Sequence, residues 1–226
     1  MALQTRLRYA PAEVQVEKRA DGVTILRSPQ PLQPYARAVG DWLVHWYERA
    51  PDRTFIAERK GEGWRRVSYR DALSDARRIG QALLNLGLGA DKPVAILSDN
   101  GVDHALLALG AMHVGVPVAP ISPAYSLMSS DHGKLKAIFE LLEPGLVFTD
   151  DAAKFQPALV AVGASATPIT ALLEHENRAR MDEAFAAIGP DTVAKILFTS
   201  GSTGAPKGVI NTQRMLCSNQ QSWAQA

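Results

Sequence analysis

Ala194-Lys195-Ile196-Leu197-Phe198-Thr199-Ser200-Gly201-Ser202-Thr203-Gly204-Ala205-Pro206-Lys207-Gly208 is the stretch on which the reading of this chain turns. A run rich in apolar residues, of the kind that forms a buried strand, breaks into a loop of Ser, Thr and Gly. A lysine follows, and then a segment with helical spacing. That order suits a polyphosphate. Glycines allow positive φ and close backbone approach, so that successive N–H groups converge on anionic oxygens. The hydroxyls of Thr199, Ser200, Ser202 and Thr203 add donors, and Lys207 adds a point charge. A helix beginning near Asn211 or Thr212 would turn its positive end toward the same anion.

Neighbouring motifs fit less well. A Walker A loop needs Gly-Lys-Ser/Thr after its spacer, whereas Gly204-Ala205-Pro206-Lys207-Gly208 sets Pro before the lysine and Gly after it. No Gly-x-Gly-x-x-Gly follows a strand pattern, which speaks against a dinucleotide fold. A flexible Gly/Ser linker is the plain alternative. Against it, patterned segments abut the loop on both sides.

Outward from the loop, strand and helix patterns alternate. Val94–Leu97, Val116–Ala119 and Leu146–Thr149 read as strands, and Val102–His113, Leu135–Leu142 and Ala152–Val162 as helices. This alternation predicts an α/β fold with a mainly parallel sheet flanked by helices. The strand ending at Thr199 then presents its loop at a carboxyl edge, where such sheets place ligands. Upstream, Ser68 with Asp71 three residues on is a capping signal for a helix ending near Gly87, with Ala72, Ala76, Ile79, Ala82, Leu83 and Leu86 as its buried face. Thr54–Glu58 and Trp64–Val67 read as a hairpin. Val39–Ala50 reads as an amphipathic helix with Trp42 and Trp46 facing the core. Before it, Val14–Lys18 and Val23–Leu26 form a hairpin arm through Asp21-Gly22, and Ser28–Pro34 forms an extended linker.

Composition narrows the classes. The chain has 226 residues, 46% of them hydrophobic and 21% charged, and a formal net charge of +1. It is long enough for a sizeable core. Its charge gives no footprint for nucleic acid or an anionic membrane, so any binding of acidic ligands is local. The single Cys217 excludes an internal disulfide framework, fits a reducing cytosol and reads as a packed thiol. The first residues lack the apolar core of a signal peptide, and Ala105–Ile121 is too interrupted by Gly, Pro and His to span a membrane. The localisation implied is cytoplasmic. His113 at a helix end reads as a terminus cap, and Asp99 and Asp103 as caps of a helix entry. Glu174–Asp182 reads as a solvated, charged connection. No cluster has metal-ligand spacing.

Thr199 to Gly208 resembles the phosphate-loop signature of the adenylate-forming superfamily, which includes acyl-CoA synthetases, luciferases and peptide-synthetase adenylation domains. Val67-Ser68-Tyr69-Arg70-Asp71-Ala72-Leu73 and Leu109-Gly110-Ala111-Met112-His113-Val114-Gly115-Val116-Pro117-Val118-Ala119-Pro120-Ile121-Ser122-Pro123 resemble two further motifs of that family, in its order. More narrowly, Gly208–Cys217, Gly40–Trp46 and Pro120–Leu127 are similar to bacterial feruloyl-CoA synthetases.

The resemblance implies the N-terminal part of an adenylate-forming large domain. Residues 1–37 would be a hairpin arm and linker. Residues 38–226 would be an incomplete AMP-binding domain without the C-terminal lid. It implies an ATP-dependent acid–CoA ligase with ATP, Mg²⁺ and coenzyme A, acting on a small carboxylic acid of the feruloyl type. A fatty or other aryl acid is the alternative substrate, and a non-catalytic nucleotide-binding module the alternative role. Thr199, Ser200, Gly201, Ser202, Thr203, Gly204 and Lys207 would hold the phosphates. The adenylation lysine and the Mg²⁺-ligating Glu of the family lie downstream, so the chain alone is expected to be inactive.

Overall fold

The computed structural model describes residues 13–174, 178–199, 204 and 206–226. In chain order the elements are β1 (Gln15–Lys18), β2 (Thr24–Arg27), α1 (Val39–Arg49), β3 (Thr54–Lys60), β4 (Gly63–Ser68), α2 (Tyr69–Asn85), β5 (Val94–Ile96), α3 (Val102–His113), β6 (Val118–Pro120) and α4 (Pro123–Leu127). They continue with α5 (Gly133–Leu142), β7 (Leu146–Phe148), α6 (Ala152–Ala161), β8 (Ala166–Thr167), a 3-10 turn (Ile169–Leu172), α7 (Arg178–Ala186), β9 (Val193–Thr199), β10 (Lys207–Thr212) and α8 (Gln213–Ala224).

The main sheet has the order β10-β9-β6-β5-β7-β8. All its pairings are parallel except β10 against β9. Side chains on a strand alternate between faces, and here both faces are covered. Val94, Ile96, Val118, Leu146 and Phe148 pack with α1, α2 and α3, while Ala95, Leu97, Ala119 and Val147 pack with α5 and α6. That accounts for the unbroken apolar strands in the sequence. The fold is the expected α/β architecture, with the hairpin β1–β2 preceding it as a separate two-stranded sheet.

α2 and α3 approach closely because glycines sit at their crossing. A Cβ on Gly110 would lie 2.6 Å from Ile79 Cγ2 and 2.9 Å from the Ala76 carbonyl oxygen. One on Gly80 would lie 2.7 Å from Val114 Cγ1. The capping box at the start of α2 forms as read: the Ser68 hydroxyl accepts from the Asp71 N–H, and the Asp71 carboxylate accepts from the Ser68 N–H.

Several expectations are corrected. Leu86 is exposed, because α2 ends at Asn85 and the chain turns outward through Gly87, at φ +72°. Trp46 lies at the surface, stacked on Tyr69 with the Arg53 guanidinium 5.6 Å from its ring. The third strand of the sheet begins at Val118 rather than Val116. The charged stretch around residues 174–182 runs into α7, whose Met181 is fully buried. Apart from these corrections, the segment after β2 is tied to the end of α8: the Gln33 N–H donates to Gln225 Oε1 and Gln225 Nε2 donates to the Pro31 carbonyl.

Candidate anion-binding hairpin

β9 runs parallel to β6, with Val118 beside Lys195, so its last residue, Thr199, lies at the carboxyl edge of the sheet. The chain returns as β10, antiparallel, with Lys207 opposite Thr199 and Gly208 opposite Phe198. Two strand ends therefore bracket the loop. Thr199 and Lys207 are exposed, and so is Gly204. Gly204 adopts φ +85°, a left-handed conformation that glycine tolerates best, and among the described residues an added Cβ there would meet nothing within 4 Å. Ser200, Gly201, Ser202 and Thr203 lie outside the described residues.

One expectation about this loop fails. The segment after the lysine is a strand rather than a helix. The helix does begin where expected, with Thr212 as N-cap accepting from the Met215 N–H. But Thr212 pairs with Val193, at the opposite end of the hairpin from Thr199. Five residues of strand at about 3.4 Å each separate the two ends, so the α8 dipole does not act on the loop. The error came from period: Val209 and Ile210 are adjacent and both exposed, and such a short run fits either pattern.

The base of the hairpin is held firmly. The Gln213 N–H donates to the Thr192 carbonyl and the Arg214 N–H to that of Pro190. The fully buried Gln213 accepts from the Val39 N–H through Oε1, which ties α8 to the start of α1. Cys217 packs beneath, and burial pushes its thiol up to about 11, as a packed rather than reactive thiol requires.

The other singled-out residues do structural work. α3 is capped from outside by Glu58 of β3, which accepts from the Val102 N–H at 2.8 Å. Asp103 instead receives Arg65 Nη2 at 2.6 Å, and Asp99 pairs with Lys154. His113 is no cap: it is buried against Phe185, with ring centroids 4.2 Å apart. Sequence reasoning missed Glu58 and Gln213, since their partners stand 44 and 174 residues away.

The family model of the AMP-binding enzymes matches residues 43–226. The chain belongs to the AMP-binding enzyme family. It is 31% identical over 166 residues to the long-chain-fatty-acid–CoA ligase FadD13 of Mycobacterium tuberculosis, covering 70% of this chain and 32% of that protein. It is 28% identical over 199 residues to the sulfoacetate–CoA ligase of Cupriavidus necator, covering 84% and 37%. Among solved structures, a fatty acyl-adenylate ligase from L. pneumophila in complex with acyl adenylate and pyrophosphate superposes with a TM-score of 0.64 at 21% identity, covering 79% of this chain and 31% of that one. An adenylation domain of a keto acid-selecting peptide synthetase module bound to keto acyl adenylate gives 0.68 at 23%, covering 84% and 34%. These two likenesses establish the adenylate-forming fold. The family member described here spans about a third of the length of these relatives.

Proposed function

We propose that this chain carries the phosphate-binding part of an ATP-dependent acid–CoA ligase. In the reaction a carboxylate attacks the α-phosphorus of ATP, giving an acyl-adenylate and pyrophosphate. Coenzyme A thiolate then displaces AMP to form a thioester. The observation that carries the reading is the hairpin end at the carboxyl edge of the sheet, where Thr199 pairs with Lys207 and Gly204 takes a left-handed conformation. Lys207 offsets charge as pyrophosphate leaves, and amides and hydroxyls donate to its oxygens. Thr199, Gly204 and Lys207 enter on position as well as sequence. Ser200, Gly201, Ser202 and Thr203 enter on sequence alone.

Mg²⁺ accompanies ATP in such chemistry and prefers carboxylate and water oxygens. The described part of the hairpin tip offers a hydroxyl, a glycine and a lysine, a donor set for an anion. Among the described residues no three His, Cys, Asp or Glu side chains converge on a cation site. The role proposed for these residues is anion binding.

In this reading residues 1–37 are an arm and linker, and residues 38–226 belong to an AMP-binding domain. Among the described residues no helix is long and apolar enough to cross a membrane. A reducing cytosol suits the one buried thiol, Cys217. Feruloyl-type hydroxycinnamates are the proposed substrates, on the resemblance of Gly208–Cys217, Gly40–Trp46 and Pro120–Leu127. A fatty acid is the second reading, favoured by the likeness to FadD13.

The purified chain is expected to catalyse no acid-dependent exchange of pyrophosphate into ATP. Exchange above background would overturn its assignment as an inactive part. A panel of hydroxycinnamic, fatty and other aryl acids, tested on the chain joined to a complete ligase domain, separates the substrates.

A further inference from the structure

His113 ends α3, is 1% exposed, and among the described residues has no hydrogen-bond partner at either Nδ1 or Nε2. Its ring lies 4.2 Å from that of Phe185 with the planes 4° apart. Gly40 of α1 closes one edge of the stack. A Cβ there would stand 2.6 Å from Phe185 Cε2 and 3.1 Å from His113 Nδ1. An imidazole so enclosed is stable only without charge, because a buried cation needs an acceptor or a counter-ion.

The surroundings supply neither. Asp41 on α1 is paired with Arg37 at 3.0 Å, and Asp182 on α7 with Arg77 of α2 at 2.5 Å. These two cations and two carboxylates are the charged groups that act on His113, and each carboxylate already has its cation. The Arg37 guanidinium also lies 4.8 Å from the centre of the Phe185 ring, so a second cation stacked on that ring would be repelled.

Phe185 belongs to α7, which is held by the buried Met181 in the core and by contacts along its edges. Arg77 grips Asp182, Arg180 reaches Asn85 and the Leu84 carbonyl, and Arg37 donates to the carbonyls of Phe185 and Ile188. Beyond α7 a short turn leads into β9 and hence to the candidate loop.

We propose that His113 is a proton-operated catch for α7: taking up a proton expels the imidazole from its stack on Phe185, and α7, with the turn leading to β9, comes away from α2 and α3 while the central sheet stays folded. Burial holds the imidazole down at about 4, against 6.5 when free, so opening gains proton affinity as pH falls through that window. The inference stands apart from the ligase reading.

Hydrogen–deuterium exchange of the whole chain between pH 7.5 and 4.5, corrected for intrinsic rates, tests it. Residues 178–192 should open about tenfold more per pH unit below 6.5, nearing a hundredfold by pH 4.5. Residues 94–96 and 106–111 should keep their protection. His113→Phe, or His113→Leu if the first does not fold, should give a flat profile. The proposal is overturned if residues 178–192 stay protected to pH 4.5, if they lose protection only together with the central strands, or if a non-titrating variant keeps the wild-type slope. Should neither variant fold, an imidazole titration of the wild type by NMR decides: a midpoint near 6.5 overturns the catch, and one well below it supports the catch.

Discussion

The centre of the sheet and its β9–β10 edge differ in composition and in burial: β5 and β7 read Val-Ala-Ile and Leu-Val-Phe, whereas β10 reads Lys-Gly-Val-Ile-Asn-Thr. In β5 and β7 every side chain is buried, because helices cover both faces. In β10 the first four residues, Lys207 to Ile210, are all exposed, and in β9 Leu197 and Thr199 are exposed while Lys195, Ile196 and Phe198 are half-buried. The centre is a frame whose strands are short and wholly committed to packing. At the edge the described strand ends Thr199 and Lys207 are exposed. In an open α/β sheet, chemistry belongs where strands outrun their packing.

The contrast can be broken most easily by core truncation. Leu107→Ala, at a fully buried position of α3, should cost about 3 kcal/mol in urea unfolding, the usual range for a buried leucine. A cost below 1 kcal/mol would mean that the frame is not packed as described. Acid should produce an effect of similar size. The His113 imidazole is depressed to about 4 from 6.5, so the folded state takes up its proton later than the unfolded one. The stabilisation is whole above pH 6.5 and lost as pH falls toward 4. It amounts to at most about 3.5 kcal/mol at about 1.4 kcal/mol per unit. Unfolding free energies of the wild type and His113→Phe at pH 7 and 4.5 check this: the wild type should lose more.

Two glycines sharpen the comparison further. Gly110→Ala at the α2–α3 crossing should lower stability by about 2 kcal/mol net, because overpacking against Ile79 and the Ala76 carbonyl outweighs the gain in helix propensity. Gly204→Ala has open space, so only its positive φ is charged, about 1 kcal/mol. Calorimetric melting should therefore separate them, and a Gly204→Ala loss equal to that of Gly110→Ala would erase the distinction. Ile210→Ser, exposed on β10, should shift stability by less than about 0.5 kcal/mol.

Much of the frame was legible in the sequence because it is local. Ser68 and Asp71 sit three residues apart, and the strand at Val94–Ile96 reads from its own apolar run. What escaped was long-range. Glu58 caps α3 from β3, Phe185 on α7 covers His113, and Trp46 stays outside on Tyr69, and no periodicity within one element encodes such contacts. The candidate site lies between these cases. Its residues stood out as a motif, and the position of Thr199 at a carboxyl edge followed from alternation. The return of the chain as an antiparallel strand did not, because Lys207–Thr212 is short and exposed on both sides, so burial left no period to read.

The account rests on the hairpin end as the phosphate site, and an NMR titration of the chain with ATP tests it most directly. Saturable amide shifts should centre on Thr199 to Lys207, and Lys207→Ala should weaken binding by about tenfold, near 1.4 kcal/mol. The largest shifts falling elsewhere in the chain, or none that saturate, would contradict it.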